Sequence, residues 1–164
     1  MTSDLAWQPT VNVAGLQRRA AALARTRQFF AKRNVLEVET PVLASYSVTE
    51  PHIQSIRATV NSNKYWLRTS PEYHMKRLLA AGCPDIYQIG KAFRGGEIGT
   101  RHQPEFTMIE WYRHDITIKE LEKECCELIT ELGQDRKIPV GENRRVSYCE
   151  LFQKFCSIDP LTAT

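Results

Sequence analysis

The chain has 164 residues, of which 42% are hydrophobic and 25% are charged, and its formal net charge at pH 7 is +3. This size and composition are typical of one globular domain, here residues 1–164, and the mild charge neither requires nor excludes a nucleic-acid partner. No apolar run approaches the roughly 18 residues that span a bilayer, and the N-terminus lacks the layout of a secretory signal, so we expect a cytoplasmic protein without a membrane partner.

A long basic helix is predicted near the N-terminus, over residues 12 to 33. Its apolar residues recur at the spacings of one helical face, and Asn34 can take the left-handed conformation that often ends a helix. Alternation over residues 36 to 40 then predicts a strand, which Pro41 ends because proline has no backbone N–H to donate. The apolar residues of the helix are Leu16, Ala20, Leu23 and Phe30.

A turn with strong capping chemistry follows the next strand. Residues 44 to 63 are predicted to form a loop with a short strand, and we make no site prediction for His52 within it. Residues 65 to 69 alternate as a strand that leads into Ser-Pro-Glu at residues 70 to 72. Serine suits a helix N-cap, proline the first helical position and glutamate the positive end of the helix dipole. The helix has a buried stripe of Met75, Leu78 and Leu79, and Gly82 ends it.

The most informative stretch, Asp85 to Arg113, predicts two strands joined by a charged loop. Strand side chains alternate between faces, so one face of this hairpin is apolar. The other is polar, and Gly90 leaves room there for something to lie on the sheet. Because unpaired charge is costly to bury, this face either holds a polar ligand or is a solvated outer surface. It comprises Gln88, Gly90, Ala92, Arg94, Phe106, Met108, Glu110 and Tyr112.

Two capped helices are predicted after the hairpin. Thr117 to Glu120 form a capping box before an amphipathic helix that Gly133 ends, and Ser147 to Glu150 cap another. Residues 134 to 145 are interpreted as a polar connection. The five cysteines form no CxxC pair, so we interpret them as reduced packing residues and predict no metal site.

Two stretches resemble motifs 1 and 2 of the class II aminoacyl-tRNA synthetases. Residues 15 to 41, a helix, strand and proline, are similar to motif 1, and residues 85 to 113, with FR, RHQPEFT and IEWY, are similar to motif 2. The similarity is greatest to the lysine branch, and within it to the ligases that attach lysine or β-lysine to elongation factor P. Val35 to Pro41 (VLEVETP) and Thr69 to Gly82 (TSPEYHMKRLLAAG) carry this further resemblance.

The resemblance implies an α+β fold in which an antiparallel sheet is flanked by helices. It also implies a homodimer formed through motif 1, although a helix packed on a sheet edge inside a monomer fits the same residues. Motif 3 and the downstream glutamates that hold Mg²⁺ in the family are missing. We therefore expect an incomplete fold, the N-terminal part of a longer ligase.

The resemblance implies a site for forming an adenylate from ATP. Arg94 is implied as the catalytic residue that binds the α-phosphate and the substrate carboxylate, a role that suits the planar fork of a guanidinium. Arg101 and His102 are placed over the β- and γ-phosphates, and Phe106 is placed to stack on adenine. The residues implied for the nucleotide are Arg94, Gly95, Gly96, Glu97, His102, Gln103 and Phe106.

A second group is implied for lysine or β-lysine. Glu72 and Glu110 offer carboxylates to ammonium groups, and Tyr112 offers a hydroxyl. Plainer interpretations also fit: helix capping at residues 70 to 72, a core position for Phe106, and a structural ion pair between Arg94 and Glu110. The implied substrate-binding residues are Ser70, Pro71, Glu72, Glu110 and Tyr112.

The chain departs from the family pattern at one nucleotide position. Gly96 stands where relatives usually carry a glutamate that contacts the adenine amino group, and Glu97 follows one residue later. We therefore expect weaker or altered selectivity for ATP.

The predicted function is ATP-dependent activation of lysine or β-lysine and its transfer to a lysine of elongation factor P. Only about a dozen residues precede the motif 1 helix, too few for an anticodon-binding β-barrel, so tRNA is not expected as a partner. Two alternatives stay open. One is a fragment of a lysyl-tRNA synthetase, and the other is a non-catalytic module that dimerises or binds lysine or nucleotide.

Overall fold

The computed structural model of the protein describes residues 7–96, 98–133 and 144–162. The chain forms two compact units, Met1–Glu122 and Lys123–Thr164. The single domain expected over residues 1–164 stays a prediction, because a division into compact units does not measure independent folding. The elements in chain order are α1 (Val13–Ala31), β1 (Leu36–Glu37), β2 (Leu43–Ala44), β3 (Arg57–Val60), β4 (Asn63–Leu67), α2 (Glu72–Ala80), β5 (Ile86–Phe93), β6 (Glu105–Tyr112), α3 (Ile118–Gly133) and α4 (Tyr148–Cys156).

Strands β1, β5 and β6 form the first sheet, in that spatial order. Strands β5 and β6 are the predicted hairpin, and they pair antiparallel from Ile86 opposite Tyr112 to Phe93 opposite Glu105. Strand β1 runs parallel to β5. The sheet is therefore mixed, and the predicted α+β class is confirmed.

The strand predicted over residues 36 to 40 is shorter than expected. Sheet pairing covers only Leu36–Glu37, although the Val38 N–H still donates to the Tyr87 carbonyl at 2.9 Å. By Thr40 the backbone has left the sheet, because the Thr40 carbonyl accepts a hydrogen bond from Arg68 Nη1 at 2.8 Å. The prediction was right in type and wrong in length.

Strands β2, β4 and β3 form a second, antiparallel sheet. Strands β3 and β4 are joined by Asn61 and Ser62, whose φ angles are 48° and 66°. Positive φ at both central residues is the requirement of a two-residue type I′ turn, which matches the twist of the strands. Strand β4 ends at Leu67, and the four residues after it, 68 to 71, lead into α2.

Helix α1 packs on the apolar face of the hairpin. Phe30 is fully buried, and its ring stacks on Tyr87 at a centroid distance of 4.5 Å and lies 5.5 Å from Trp111. Asn34 ends this helical region with a φ of 56°, as expected. The predicted apolar stripe is only partly buried, since Leu16, nearer the helix start, is 52% exposed.

The two predicted capping boxes are confirmed. The Thr117 hydroxyl accepts the Glu120 N–H at 3.3 Å while the Glu120 carboxylate accepts the Thr117 N–H at 2.6 Å. Ser147 and Glu150 make the same reciprocal pair. The polar connection predicted over residues 134 to 145 lies mostly outside the described residues. All five cysteines are free.

None of the helices within the described ranges combines the length and the apolar content needed to cross a membrane. The cytoplasmic location stays a prediction.

Candidate functional site

The pairing register confirms the two faces predicted for the hairpin. Gln88 lies opposite Glu110 and Ala92 lies opposite Phe106, so these side chains share one face. Part of this face is buried, because Gln88 is only 2% exposed and accepts a hydrogen bond from the Thr40 hydroxyl at 2.8 Å. The interpretation as a solvated outer surface is therefore wrong around Gln88.

The space over Gly90 is filled by a protein side chain, that of Arg68. A Cβ added to Gly90 would lie 2.5 Å from Arg68 Nη2. The guanidinium donates from Nε to the Lys91 carbonyl and from Nη1 to the Thr40 carbonyl, both at 2.8 Å. The expectation that Gly90 leaves room for a ligand is wrong, because Arg68 occupies that room.

Arg68 had no signal in the sequence, because an arginine just after an amphipathic strand is normally solvated. Here the residue is 6% exposed. Burial, the largest effect, lowers the pKa of its guanidinium, while the carboxylates of Glu39 and Glu110 act in the opposite direction. An arginine in proteins stays protonated, so a fixed positive charge lies against the polar face.

Glu110 is the centre of the residues predicted for the substrate. Its two carboxylate oxygens accept hydrogen bonds from the Ser70 hydroxyl at 2.7 Å and from the Tyr112 hydroxyl at 2.6 Å. Burial, followed by this bond to an anion, raises the pKa of the Tyr112 phenol well above its ordinary value, so the phenol remains a donor. A carboxylate offers about four acceptor positions, so Glu110 can accept a further bond from an ammonium group.

The Ser-Pro-Glu turn is confirmed as the start of α2, with a shift of one position. Pro71 is the N-cap and Glu72 the first helical residue, whereas serine was expected at the cap. Ser70 still satisfies the helix start, since its Oγ accepts the Glu72 N–H at 3.0 Å. The Glu72 carboxylate pairs with Lys76 one turn later, and a ligand ammonium would compete with Lys76 for it.

A partly enclosed cavity of about 50 Å³ lies beside this turn. The turn and the segment between residues 44 and 55 share its lining. The volume accommodates a group the size of water or ammonium. The lining residues are Ala44, Tyr46, Val48, Ser55, Leu67, Arg68, Thr69, Ser70, Glu72, Tyr73 and His74.

A larger cavity of about 580 Å³ lies at the loop end of the hairpin. The guanidinium carbon of Arg94 lies 5.3 Å from the centroid of the Phe106 ring there. Two arginines and an aromatic ring suit a ligand that is both anionic and aromatic, and the volume is that of a small-molecule site. The lining residues are Arg94, Gly96, Ile98, Arg101, His102, Gln103 and Phe106, which include five of the seven predicted for the nucleotide.

The other two predicted nucleotide residues are Gly95 and Glu97. Glu97 lies outside the described residues. The Gly95 N–H donates to the Gln54 carbonyl at 2.7 Å, which forms an isolated antiparallel bridge. The Gln54 side chain covers both glycines, since a Cβ on Gly95 would lie 3.2 Å from Gln54 Cδ and one on Gly96 would lie 3.1 Å from Oε1. Gly96 also has a φ of 76°, a left-handed conformation that favours glycine. The backbone conformation and the contact with Gln54 therefore explain why a glycine stands where relatives usually carry a glutamate.

Within the described ranges, no three His, Cys, Asp or Glu side chains are grouped so that they could hold a metal ion. The Mg²⁺ ligands that the resemblance implies were expected in a C-terminal part beyond this sequence.

Comparison with known proteins gives one family and a set of similar ligases. The family model for class II tRNA synthetases (D, K and N) matches residues 5–159. The elongation factor P–(R)-β-lysine ligases of Haemophilus influenzae (strain PittGG), Yersinia enterocolitica and Pasteurella multocida are 44%, 41% and 42% identical over 99%, 99% and 96% of this chain. These matches cover 51%, 50% and 49% of those proteins, so the chain spans about half the length of the curated relatives it matches.

A solved structure agrees with the class II fold. The asparaginyl-tRNA synthetase of Pyrococcus horikoshii, crystallised with asparaginyl-adenylate, superposes with a TM-score of 0.65 over 73% of this chain and 27% of that chain, at 19% identity. Likeness at this identity concerns the fold alone. The predicted fold class and the resemblance to the lysine ligases are both confirmed.

Proposed function

The chain belongs to the family of class II tRNA synthetases (D, K and N), and from this premise we propose that it forms all or part of an ATP-dependent ligase. The ligase activates lysine or β-lysine as an adenylate and transfers it to a lysine of elongation factor P. The observation that carries the proposal is the separation of charge along one face of the hairpin. Cationic side chains line the cavity at the loop end, and the Glu110 carboxylate lies near the opposite end.

The cationic end suits the nucleotide part of the reaction. Activation joins a carboxylate oxygen of the amino acid to the α-phosphorus of ATP and expels pyrophosphate, so two anions have to approach each other. Arg94 is proposed to bind both of them, since its fork can hold oxygens in pairs and stabilise the charge that develops between them. Arg101 and His102 then lie on the side of the β- and γ-phosphates, and Phe106 provides a surface for adenine.

The acidic end suits the amino acid. Lysine and β-lysine each carry two ammonium groups, and Glu72 and Glu110, which both hydrogen-bond to Ser70 Oγ, provide two carboxylates. Ser70 and Tyr112 already orient Glu110 through its two oxygens, so this carboxylate is preorganised and needs little rearrangement to bind. In the transfer step, the ε-amine of the acceptor lysine attacks the acyl carbon of the adenylate, AMP leaves, and the amine gives up a proton.

The partners follow from this reaction. Mg²⁺ is expected to neutralise the phosphates of ATP when it is bound, and we assign it no ligand among the described residues. The acceptor is a protein, so tRNA is not a proposed partner. A homodimer through α1 and a cytoplasmic location complete the proposal, on the strength of the resemblance to motif 1 and of the kind of substrate.

The proposal is tested by lysine-dependent ATP–pyrophosphate exchange and by mass spectrometry of elongation factor P after incubation with ATP and L-lysine or (R)-β-lysine. Both the 164-residue chain and the longest natural protein that contains it should be assayed. The matched control is elongation factor P with its acceptor lysine replaced by arginine, which should gain no mass. Aminoacylation of lysine tRNA would favour the lysyl-tRNA synthetase alternative, and the absence of exchange in both proteins would refute the ligase.

A further inference from the structure

Arg68 joins three parts of the first unit through one side chain. Its Nη1 donates to both the carbonyl and the hydroxyl of Thr40, at 2.8 and 3.0 Å, and its Nε donates to the Lys91 carbonyl at 2.8 Å. A buried charge is tolerated only when its hydrogen bonds are made. Lysine could not replace it at this site, because an ammonium group lacks the planar fork that meets oxygens in two directions.

The backbone of Arg68 also hydrogen-bonds to the segment after Thr40 and to strand β5. Its N–H donates to the Val42 carbonyl and its carbonyl accepts the Phe93 N–H, both at 2.9 Å. Residue 68 is therefore the point where the chain that leaves β4 is held between the segment after Thr40 and the end of β5. Ser70 and Glu72 follow within four residues, so their distance from Glu110 depends on where Arg68 is held.

The Arg68 guanidinium packs against Gly90 of strand β5. A Cβ at Gly90 would lie 2.5 Å from Arg68 Nη2 and 3.1 Å from Gln88 Nε2, both much closer than van der Waals contact. The absence of a side chain at residue 90 is thus what allows the guanidinium to approach the strand. Because the two residues are in contact, the effects of substituting them should not be additive.

We propose that Arg68, packed against Gly90, is the positioning residue that fixes the amino-acid pocket, by which we mean the cavity beside the turn at residues 70 to 72. Arg68 then determines affinity for the ammonium end of the substrate and does not determine affinity for ATP. This role rests on the proposed function. The cavity beside the turn includes Arg68 in its lining, whereas the residues found around the larger cavity come from Arg94 to Phe106. A displaced Arg68 would therefore disturb the first cavity and leave the second in place.

The test measures binding of L-lysine, (R)-β-lysine and ATP by calorimetry, together with the unfolding midpoint. It uses both the 164-residue chain and the longest natural protein that contains it. For Arg68→Met we expect affinity for the lysines to fall about 10- to 100-fold, the range for losing a hydrogen bond to a charged group, with ATP affinity within about twofold of wild type. Arg68→Lys should not restore lysine affinity. Arg57→Met is the matched control, because Arg57 is an exposed arginine of β3 and should change neither affinity.

Gly90→Ala provides a second approach to the same pair if Arg68→Met does not fold. Gly90→Ala alone should lower lysine affinity selectively. Where Arg68→Met does fold, the double variant should lose less than the sum of the two single changes, because the methionine can move away from the new methyl group. Equal losses of lysine and ATP affinity, unchanged lysine affinity, or additive losses in the double variant would each overturn the role of Arg68 alone. If neither lysine binds to the wild-type 164-residue chain or to the longest natural protein that contains it, the proposed function is overturned, and the role of Arg68 with it.

Discussion

The Ser70 hydroxyl lies 2.7 Å from a carboxylate oxygen of Glu110, across the gap between the start of α2 and the hairpin. Ser70 Oγ also accepts a hydrogen bond from the backbone N–H of Glu72 at 3.0 Å. A single hydroxyl thus holds the Glu110 carboxylate and the backbone of Glu72, the two residues that we propose for the substrate ammonium groups. Helix capping and substrate binding, which the sequence left as alternative interpretations, are compatible uses of one side chain.

Replacing Ser70 by alanine should weaken lysine binding. The Glu110 carboxylate would lose an oriented donor, and we expect affinity for L-lysine and (R)-β-lysine to fall about 10- to 100-fold, as measured by calorimetry. The matched control is Ser147→Ala, which removes the cap of α4 and should cost about 1 kcal/mol of stability without changing lysine affinity. Lysine binding at wild-type strength in Ser70→Ala would contradict the assignment of this cluster.

Replacing Arg94 by lysine should reduce lysine-dependent pyrophosphate exchange by about 10²–10³, the usual cost of one preorganised donor to developing charge. The charge is kept, but the planar fork that can hold two anions together is lost. The measurement is exchange by the longest natural protein that contains the chain. Arg77→Lys, an exposed change near the end of α2, should leave exchange unchanged. Normal exchange in Arg94→Lys would remove Arg94 from the catalytic role.

The loop of the hairpin offers two glycines that should respond differently to the same change. Gly96 has a φ of 76°, and a Cβ there would lie 3.1 Å from Gln54 Oε1, whereas a Cβ on Gly99 meets nothing within 4 Å. A left-handed backbone costs an alanine roughly 1–2 kcal/mol. We therefore expect Gly96→Ala to weaken ATP binding by up to about tenfold, with Gly99→Ala unchanged. Equal ATP affinities for the two variants in calorimetry would show that the Gly96 backbone does not shape the nucleotide cavity.

Alternation and capping chemistry were enough to predict the hairpin, the assignment of its faces and the start of α2. These features depend on residues close in sequence, and the period of two places Glu110 and Tyr112 on the same face without any tertiary information. The burial of Arg68 could not be predicted in this way, because it depends on a gap at Gly90 and on oxygens from two other segments. Only the structure brings them together.

The contact of Gln54 with Gly95 is long-range as well, and the adjacent glycines of the loop were its only trace in the sequence. The turn at Asn61 and Ser62 is different, because its signal in the sequence is local. Asparagine is enriched at positive φ, so a type I′ hairpin could have been inferred from the residues themselves.

Exposed apolar residues on α1 allow a test of the proposed homodimer. Val13 and Leu16 are 69% and 52% exposed, and they lie on the helix that the resemblance to motif 1 assigns to the interface. Burial of a leucine is worth about 1.5–3 kcal/mol, so Leu16→Glu should weaken self-association at least about tenfold in sedimentation equilibrium. Ile129→Glu changes a similarly exposed residue of α3, at 62%, and should not affect it. A wild-type protein that sediments as a monomer would exclude the dimer.

Tyr87 should make the stability of the protein fall at high pH. Its hydroxyl donates to Glu37 at 2.9 Å, and burial, followed by that hydrogen bond, raises its pKa from 10.0 to about 12. Between these two values the unfolded chain releases a proton that the folded protein keeps, so the free energy of unfolding decreases as pH rises. The contribution of Tyr87 is therefore complete below pH 10.0 and is lost toward pH of about 12, a loss on the order of 1–3 kcal/mol.

The measurement is urea unfolding at a series of pH values across this window, for the wild type and for Tyr87→Phe. The phenylalanine variant cannot ionise, so its free energy of unfolding should start lower and should decline less steeply as pH rises. Tyr46→Phe is the matched control, because Tyr46 is 85% exposed and its removal should leave the full decline in place. Parallel curves for the wild type and Tyr87→Phe would mean that Tyr87 ionises alike in the folded and unfolded chains, and that its bond to Glu37 does not hold its proton.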